Sequence, residues 1–170
     1  MNFLRRLLNP GPDPRETLRP LWFAAVIEAR DPRWYRDLAV ADSVEGRFDM
    51  ITIVLAFILL RLERDGAAEE SVRLTELFVE DMDAQLRQSG VGDLVVGKHV
   101  GKLMATLGGR LGALREALPV GENAVAEVVE RNVSLLDGAP AGPLAHEIVR
   151  LHVQLERVGR ERLLLGHLDP

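Results

Sequence analysis

The sequence predicts an all-α fold: a single helical domain of about six to seven helices around one central buried helix. Leu, Ala, Arg and Glu recur at helical spacing, whereas β-branched residues form no alternating runs. The 170 residues suffice for one domain with a sizeable core. The most hydrophobic stretch, about residues 43–65, carries apolar side chains on every helical face, so other elements must surround it.

The first helices are predicted from their start signals. Asp13-Pro14 combines a capping residue with proline at the first helical position. Arg30-Asp31-Pro32 ends that helix and caps a short one that carries Trp34 and Tyr35. These two aromatic residues either pack at a helix corner or anchor a partner, since Trp and Tyr are enriched in binding hot spots.

The central helix is predicted to begin at Asp42 or Ser43, because either side chain can cap it. Its uninterrupted apolar part, 50–60, is well short of the ~20 residues that span a bilayer. Charged residues close both ends. We therefore expect a buried helix and no transmembrane segment.

The next helix is predicted from about Ala67 to Gln88, after a stop at Asp65-Gly66. Asp83 and Arg87 are four residues apart and can pair on one helical face. The following glycine-rich link lacks the spacing of a phosphate-binding loop. Asp93, at its end, can cap the helix that follows.

The helix predicted over 94–118 has three distinct faces. An apolar stripe forms one of them. A flank of glycines (Gly97, Gly101, Gly108 and Gly112) forms the second. Because each helical glycine costs about 1 kcal/mol relative to alanine, we interpret the row as a place where a neighbouring backbone comes close, either from this chain or from a partner. His99, Lys102 and Arg110 form the third face, a short basic edge that is either solvated or in contact with phosphate groups of lipid or RNA. These three residues, Lys98 and the four glycines are the candidate partner-binding residues of this helix.

The C-terminal part is predicted as an amphipathic helix over 122–136, a linker over 138–143 and a last helix from Leu144 to about Leu165. Domain boundaries follow from this: 1–12 a flexible N-terminal segment, 13–137 the helical domain and 144–170 a C-terminal helix that packs on it. The first segment is basic and apolar. It is either a frayed or docked terminal turn, or a weak contact to an anionic membrane through Arg5 and Arg6.

Composition excludes several functions. The net charge of −5 argues against a DNA-binding protein. The absence of cysteine excludes disulfides, thiol chemistry and cysteine-ligated metal sites. No serine lies in a nucleophile-elbow context, and His146 and His152 miss the spacing of a helical zinc site. We expect no enzyme, no cofactor and no metal.

Several segments, taken in order, resemble the ubiquinol–cytochrome c chaperone family. The first is Trp34-Tyr35, followed by Asp42-x-x-x-Gly46-Arg47-Phe48-Asp49-Met50 and Arg61-Leu62. The resemblance continues through Asp81-Met82-Asp83-x-x-Leu86-Arg87-x-x-Gly90-Val91-Gly92-Asp93-x-x-Val96-x-Lys98, then Gly109-Arg110 and Arg131-Asn132. It covers about 21–136. The long N-terminal extension of mitochondrial members is absent, which is typical of a bacterial member.

The resemblance implies an assembly chaperone for cytochrome b of respiratory complex III, with possible partners in the ribosome or the membrane surface. The implied location is the cytoplasm or the inner face of the cytoplasmic membrane. We interpret the motif residues Arg47, Phe48, Asp49, Asp83, Arg87, Gly92 and Asp93 as structural.

Two alternatives remain open at the sequence level. One is an interaction or scaffold module for another membrane protein. The other is a haem- or small-molecule-binding protein with His99, His146, His152 or His167 as axial ligands, which a Soret band would reveal.

Overall fold

The structure, a computed structural model, describes residues 13–88 and 93–170, the side chains of 86 and 93–99 excepted. The N-terminal segment 1–12, and with it the membrane-contact hypothesis, lies outside the described residues. All regular elements in the described part are helical apart from one isolated bridge, which confirms the predicted all-α fold.

A single 3-10 turn, Pro14–Leu18, precedes the α-helices. The α-helices are α1 (Arg19–Ala29), α2 (Pro32–Arg36), α3 (Val44–Arg64), α4 (Ala68–Gln88), α5 (Asp93–Ala117), α6 (Glu122–Asn132), α7 (Gly142–Arg157) and α8 (Arg160–Leu164).

Helix α3 lies at the centre of the domain, as the sequence predicts. It packs against α1, α4, α5 and α7. Every residue of the run 49–59 is buried. The helix begins where Ser43 Oγ accepts a hydrogen bond from the backbone N–H of Gly46 at 3.1 Å. It ends before Gly66, whose φ of +68° suits a residue that terminates a helix.

The N-terminal turn and α1 begin as a capped segment. Asp13 Oδ1 accepts from the backbone N–H of Arg15 at 2.9 Å, in agreement with the predicted cap, but the first turn is a 3-10 helix. Leu21 and Trp22 of α1 are buried, and the Trp22 ring meets Phe78 of α4 edge-on at 6.0 Å between centroids.

Helix α7 begins at Gly142, within the predicted linker 138–143, and packs against both α6 and the central helix. Its apolar face, including Leu144, Ile148 and Leu151, is buried. Arg61 of α3 lies in this contact and donates from Nη1 to the carbonyl oxygen of Leu155 at 2.5 Å. The last turn after α8 returns to α1: Gly166 comes so close to the Pro20 carbonyl that a side chain would not fit.

The loop before α3 is tied to the loop after α6. Val40 and Leu135 form an isolated antiparallel bridge. Ala41 N–H donates to the Ser134 carbonyl at 2.8 Å, and Leu136 N–H donates to that of Ala39 at 2.9 Å. The bridge holds the start of α3 beside the end of α6, which places the motif residues of α3 next to residues near 132–134.

Candidate functional site

Helix α5 carries most of the sequence-predicted partner-binding residues, and its inner side anchors it to the domain. Leu107, Leu114 and Ala117 are buried against the core. Arg110 lies on this same inner side and is only 7% exposed. Arg110 therefore does not belong to a solvent-facing basic edge; that part of the sequence-based interpretation is corrected, because the guanidinium has a buried partner on the central helix.

The partner is Asp49 of α3. Arg110 Nη2 lies 2.5 Å from Asp49 Oδ1 and donates to the Asn132 carbonyl at 2.7 Å, while Nη1 donates to Thr52 Oγ1. The other carboxylate oxygen of Asp49 accepts from both the backbone N–H and the hydroxyl of Ser134, each at 2.8 Å. One buried ion pair thus joins α3, α5 and the end of α6.

Three other family-motif residues, Phe48, Asp83 and Arg87, also make contacts within the domain. The Arg110 guanidinium carbon lies 5.6 Å from the centroid of the Phe48 ring, within cation–π range. Asp83 and Arg87 form the predicted i,i+4 ion pair at 2.8 Å. For Gly92, no structure is described, and the side chain of Asp93, the first residue of α5, lies outside the described residues.

Arg47, by contrast, lies at the surface. Its Nε donates to Asp42 Oδ1 at 2.6 Å. This hydrogen bond holds the pKa of the Asp42 carboxyl below its usual range, so Asp42 stays ionised at neutral pH. Arg47 is therefore a partly neutralised cation at the start of α3.

Trp34 and Tyr35 form the corner between α1 and α2. Trp34 is 0% exposed, and its Nε1 donates to the Glu28 carbonyl at 2.7 Å. Tyr35 is half-buried, its hydroxyl donates to the Ala29 carbonyl at 2.7 Å, and burial raises the pKa of its phenol. Trp34 thus packs at the helix corner and does not present a surface for a partner.

The described glycines of α5 face away from the domain. A Cβ placed on Gly101, Gly108 or Gly112 would have no heavy atom of another part of the chain within 4 Å. Among the described residues, no other helix approaches these three glycines, so the intramolecular alternative is wrong for that part of the chain. The side chains of Lys98 and His99 and the surroundings of Gly97 lie outside the described residues.

The outward glycines lie between two depressions on either side of α5. A cavity of about 830 Å³ is formed with α3 and α4, and α5 contributes Val100, Met104 and Leu111 to it. Its walls also include the acidic residues Glu63, Glu76, Glu80 and Asp83. A second pocket of about 530 Å³ lies on the other side, where α5 contributes Lys102, Leu103 and Thr106. Lys102 is exposed, as the predicted basic edge requires.

The described histidines have separate surroundings. His146 Nδ1 lies 3.0 Å from Glu122 of α6. The His152 ring packs against Phe57 at 5.5 Å between centroids, and burial lowers its pKa. His167 is exposed. Within the described residues, no three His, Asp or Glu side chains are grouped so that they could hold a metal ion.

These features describe an all-α protein whose buried polar groups hold its helices together. The outward side of α5 carries exposed glycines and lies between two largely apolar depressions. Among the helices that the structure describes, none combines the length and the apolar character needed to cross a bilayer.

Comparison with known families identifies the class more closely. The ubiquinol–cytochrome c chaperone family matches residues 36–167, and the chain belongs to this family. A search of curated proteins returned no match. Among solved structures, the crystal structure of the Cbp3 homolog from Brucella abortus matches with a TM-score of 0.79 and 26% identity, over 98% of this chain and 93% of that one. Membership in a chaperone family confirms the prediction that this protein is not an enzyme.

Proposed function

We propose that this protein is an assembly chaperone of respiratory complex III and that its client is newly made cytochrome b. The family match over 36–167 supports the role in complex III assembly, and the similarity to the Cbp3 homolog over nearly the whole chain supports it further. The choice of cytochrome b as the client follows from the family resemblance of the motif segments.

The observation that favours a docking role for α5 is the open space at its glycines. Glycine lowers the stability of a helix interior by about 1 kcal/mol relative to alanine. Gly101, Gly108 and Gly112 have no neighbour from another described part of the chain within 4 Å of the position of a Cβ. A partner helix that lies along this side would gain from their small size, because small residues let two helix backbones approach closely.

The neighbouring side chains suit an apolar client. Met104 is exposed, and Val100 and Leu111 of the same helix line the larger cavity. Methionine adapts to varied apolar surfaces, as a chaperone surface requires. In this mechanism the outward side of α5 covers an apolar segment of the immature subunit until other subunits replace the chaperone.

Location and further contacts follow from this role. A protein that holds a membrane subunit during assembly works at the membrane surface, so we place it peripherally on the inner face of the cytoplasmic membrane. Contact with a ribosome or with lipid through Arg5 and Arg6 belongs to the same proposal.

A deletion strain tests the function. Loss of the gene should abolish assembled complex III while other respiratory complexes remain at normal levels, and the wild-type gene should restore it. The variant Gly108→Leu should restore it poorly, whereas Gly159→Leu, at an equally open site before α8, should restore it fully. Normal complex III in the deletion strain would contradict the proposed function, and full rescue by Gly108→Leu would contradict the proposed surface.

A further inference from the structure

The smaller of the two pockets beside α5 combines apolar and cationic side chains. Its volume of about 530 Å³ falls in the range of about 300–1,000 Å³ that small-molecule sites occupy. Ile51 of α3 and Met82 of α4 are buried, so they form its floor. Phe48 and Leu103 are half-buried and form its walls.

The Phe48 wall of the pocket is held in place by contacts with residues of the core. The Phe48 ring packs against Phe78 at 6.4 Å between centroids, and the Arg110 guanidinium lies over it. Arg110 is itself held by the buried Asp49 carboxylate, so the Phe48 ring lies between two groups that the core holds in place. The pocket is therefore preformed, as ligand pockets usually are.

Cations surround its mouth. Arg30, at the end of α1, and Lys102 of α5 are exposed and line the pocket, and Arg47 lines it from α3. Glu45 is the opposing carboxylate among the lining residues. The mouth is thus positive in a chain whose net charge is −5.

Two of these cations form no ion pair with the described residues, although the Arg30 charge acts on Asp42 from beyond ion-pair distance. Arg47 pairs with Asp42, but the described residues contain no ion pair to Arg30 or to Lys102. Exposed arginines elsewhere in the described helices are divided: Arg115 pairs with Glu63, for example, whereas Arg131 and Arg162 have no ion pair among the described residues. What distinguishes Arg30 and Lys102 is their position at the mouth of one apolar pocket. Two exposed cations at the mouth of an apolar pocket favour a ligand that supplies a negative charge and an apolar body.

We propose that this pocket binds one anionic amphiphile, an alkyl chain that ends in a carboxylate or a phosphate. In this arrangement the alkyl chain of the ligand lies on Ile51 and Met82, and its anionic group pairs with Arg30 and Lys102. This ligand is separate from the protein client proposed above, so its binding is measurable on the isolated protein. Such a ligand has two natural sources: free fatty acids and anionic phospholipids.

Isothermal titration calorimetry tests the proposal, with oleate and oleoyl lysophosphatidylglycerol as anionic probes below their critical micelle concentrations. Uncharged monooleoylglycerol is the matched control ligand. At least one anionic probe should bind saturably with one site per chain, and monooleoylglycerol should bind at least about tenfold more weakly. Preference for oleate indicates a fatty acid, and preference for the lysolipid indicates a phospholipid. Absence of saturable binding by both anionic probes overturns the proposal, and so does equal binding of the neutral probe.

Charge variants locate the site. The double variant Arg30→Glu with Lys102→Glu should weaken binding at least about tenfold, because it replaces the two attractive charges by repulsive ones. Arg162→Glu, a comparable change of an exposed arginine on α8 that does not line the pocket, should bind like the wild type. Glu45→Gln should tighten binding. If the double variant binds as the wild type does, the site is elsewhere and the proposal fails.

A variant that fills the pocket tests the same site without a change of charge. Thr106→Trp places a large side chain at the pocket wall and leaves Arg30 and Lys102 in place. It should abolish binding while circular dichroism shows an unchanged helical content. Retained binding by this variant would also overturn the proposal.

Discussion

Arg110 of α5 reaches into the domain and meets Asp49 of α3 with 2.5 Å between Nη2 and Oδ1. Both side chains are nearly inaccessible to solvent, 8% each. A buried ion pair loses much of its attraction to desolvation, but removal of one partner leaves an uncompensated charge inside the protein. The pair therefore determines where α5 sits, and with it the position of the proposed docking surface.

The first prediction concerns this ion pair. Arg110→Met should lower the free energy of unfolding by about 3–5 kcal/mol, because Asp49 then stays buried without its cation. Urea denaturation measures the change. Arg115→Met removes an exposed arginine from the same helix, paired with Glu63 at 2.7 Å, and should cost below about 1 kcal/mol. Equal losses in the two variants would contradict a structural role for Arg110.

The second prediction contrasts two glycines. A Cβ on Gly46 would collide with the carbonyl oxygen of Ala41 and lie 3.3 Å from Val40 Cγ1, so Gly46→Ala should destabilise by about 1–3 kcal/mol. Gly108 faces open space, and Gly108→Ala should stabilise by up to about 1 kcal/mol through helix propensity. Thermal unfolding should show opposite shifts of Tm. A decrease for Gly108→Ala would show that the position is packed.

The sequence predicted the all-α fold and its central helix, because the hydrophobic run of α3 is apolar on every face and must therefore be buried among other helices. It could not assign Arg110. A helical wheel gives the angle between Arg110 and its neighbours, but not which residue 61 positions earlier lies opposite to it. Thr52 and Ser134 gave no sequence signal, since single polar residues carry no periodicity. Asn132 was noted only as part of the Arg131-Asn132 segment, which does not reveal its contact with Arg110.

The glycines of α5 are a second case in which the sequence shows a pattern but not the residues that lie opposite to it. The sequence revealed the row but left open whether the neighbouring backbone belongs to this chain. Only the positions of the other helices decide that no part of the described chain meets Gly101 or Gly108. The sequence also could not predict the pocket mouth formed by Arg30, Arg47 and Lys102, because these residues come from three separate helix segments.

The third prediction concerns acid sensitivity. Burial, with a smaller contribution from the nearby Arg64 charge, lowers the pKa of His152 in the folded protein. An unfolded histidine titrates near about 6.5. As the pH falls below that value, the unfolded chain takes up a proton that the folded protein resists, so the free energy of unfolding decreases.

Urea denaturation at pH 7.5 and 5.5 measures this loss, in a window that stays above the range of ordinary carboxylates. His152→Leu removes the titrating group and should reduce the difference between the two pH values. A variant that loses as much stability in acid as the wild type would show that His152 is not the cause.

The fourth prediction concerns the attachment of α7. Arg61 donates to the Leu155 carbonyl at 2.5 Å and to Asp65 at 3.0 Å, which joins the central helix to the last turn of α7. Arg61→Met should cost about 1.5–3 kcal/mol and raise amide hydrogen exchange across 142–157. Arg150→Met, on the exposed side of α7, should leave that exchange unchanged. Exchange that rises only near 61 would contradict the attachment.

The central claim is that the outward side of α5 holds cytochrome b during complex III assembly. The most direct test is site-specific photo-crosslinking in living cells, with a photoreactive amino acid at Ala105, between the open glycines, and at Arg162 as a control. We predict a crosslink to cytochrome b from Ala105 and not from Arg162, which becomes stronger when later complex III subunits are missing. Crosslinks to an unrelated membrane protein, or to cytochrome b from Arg162 alone, would contradict the account.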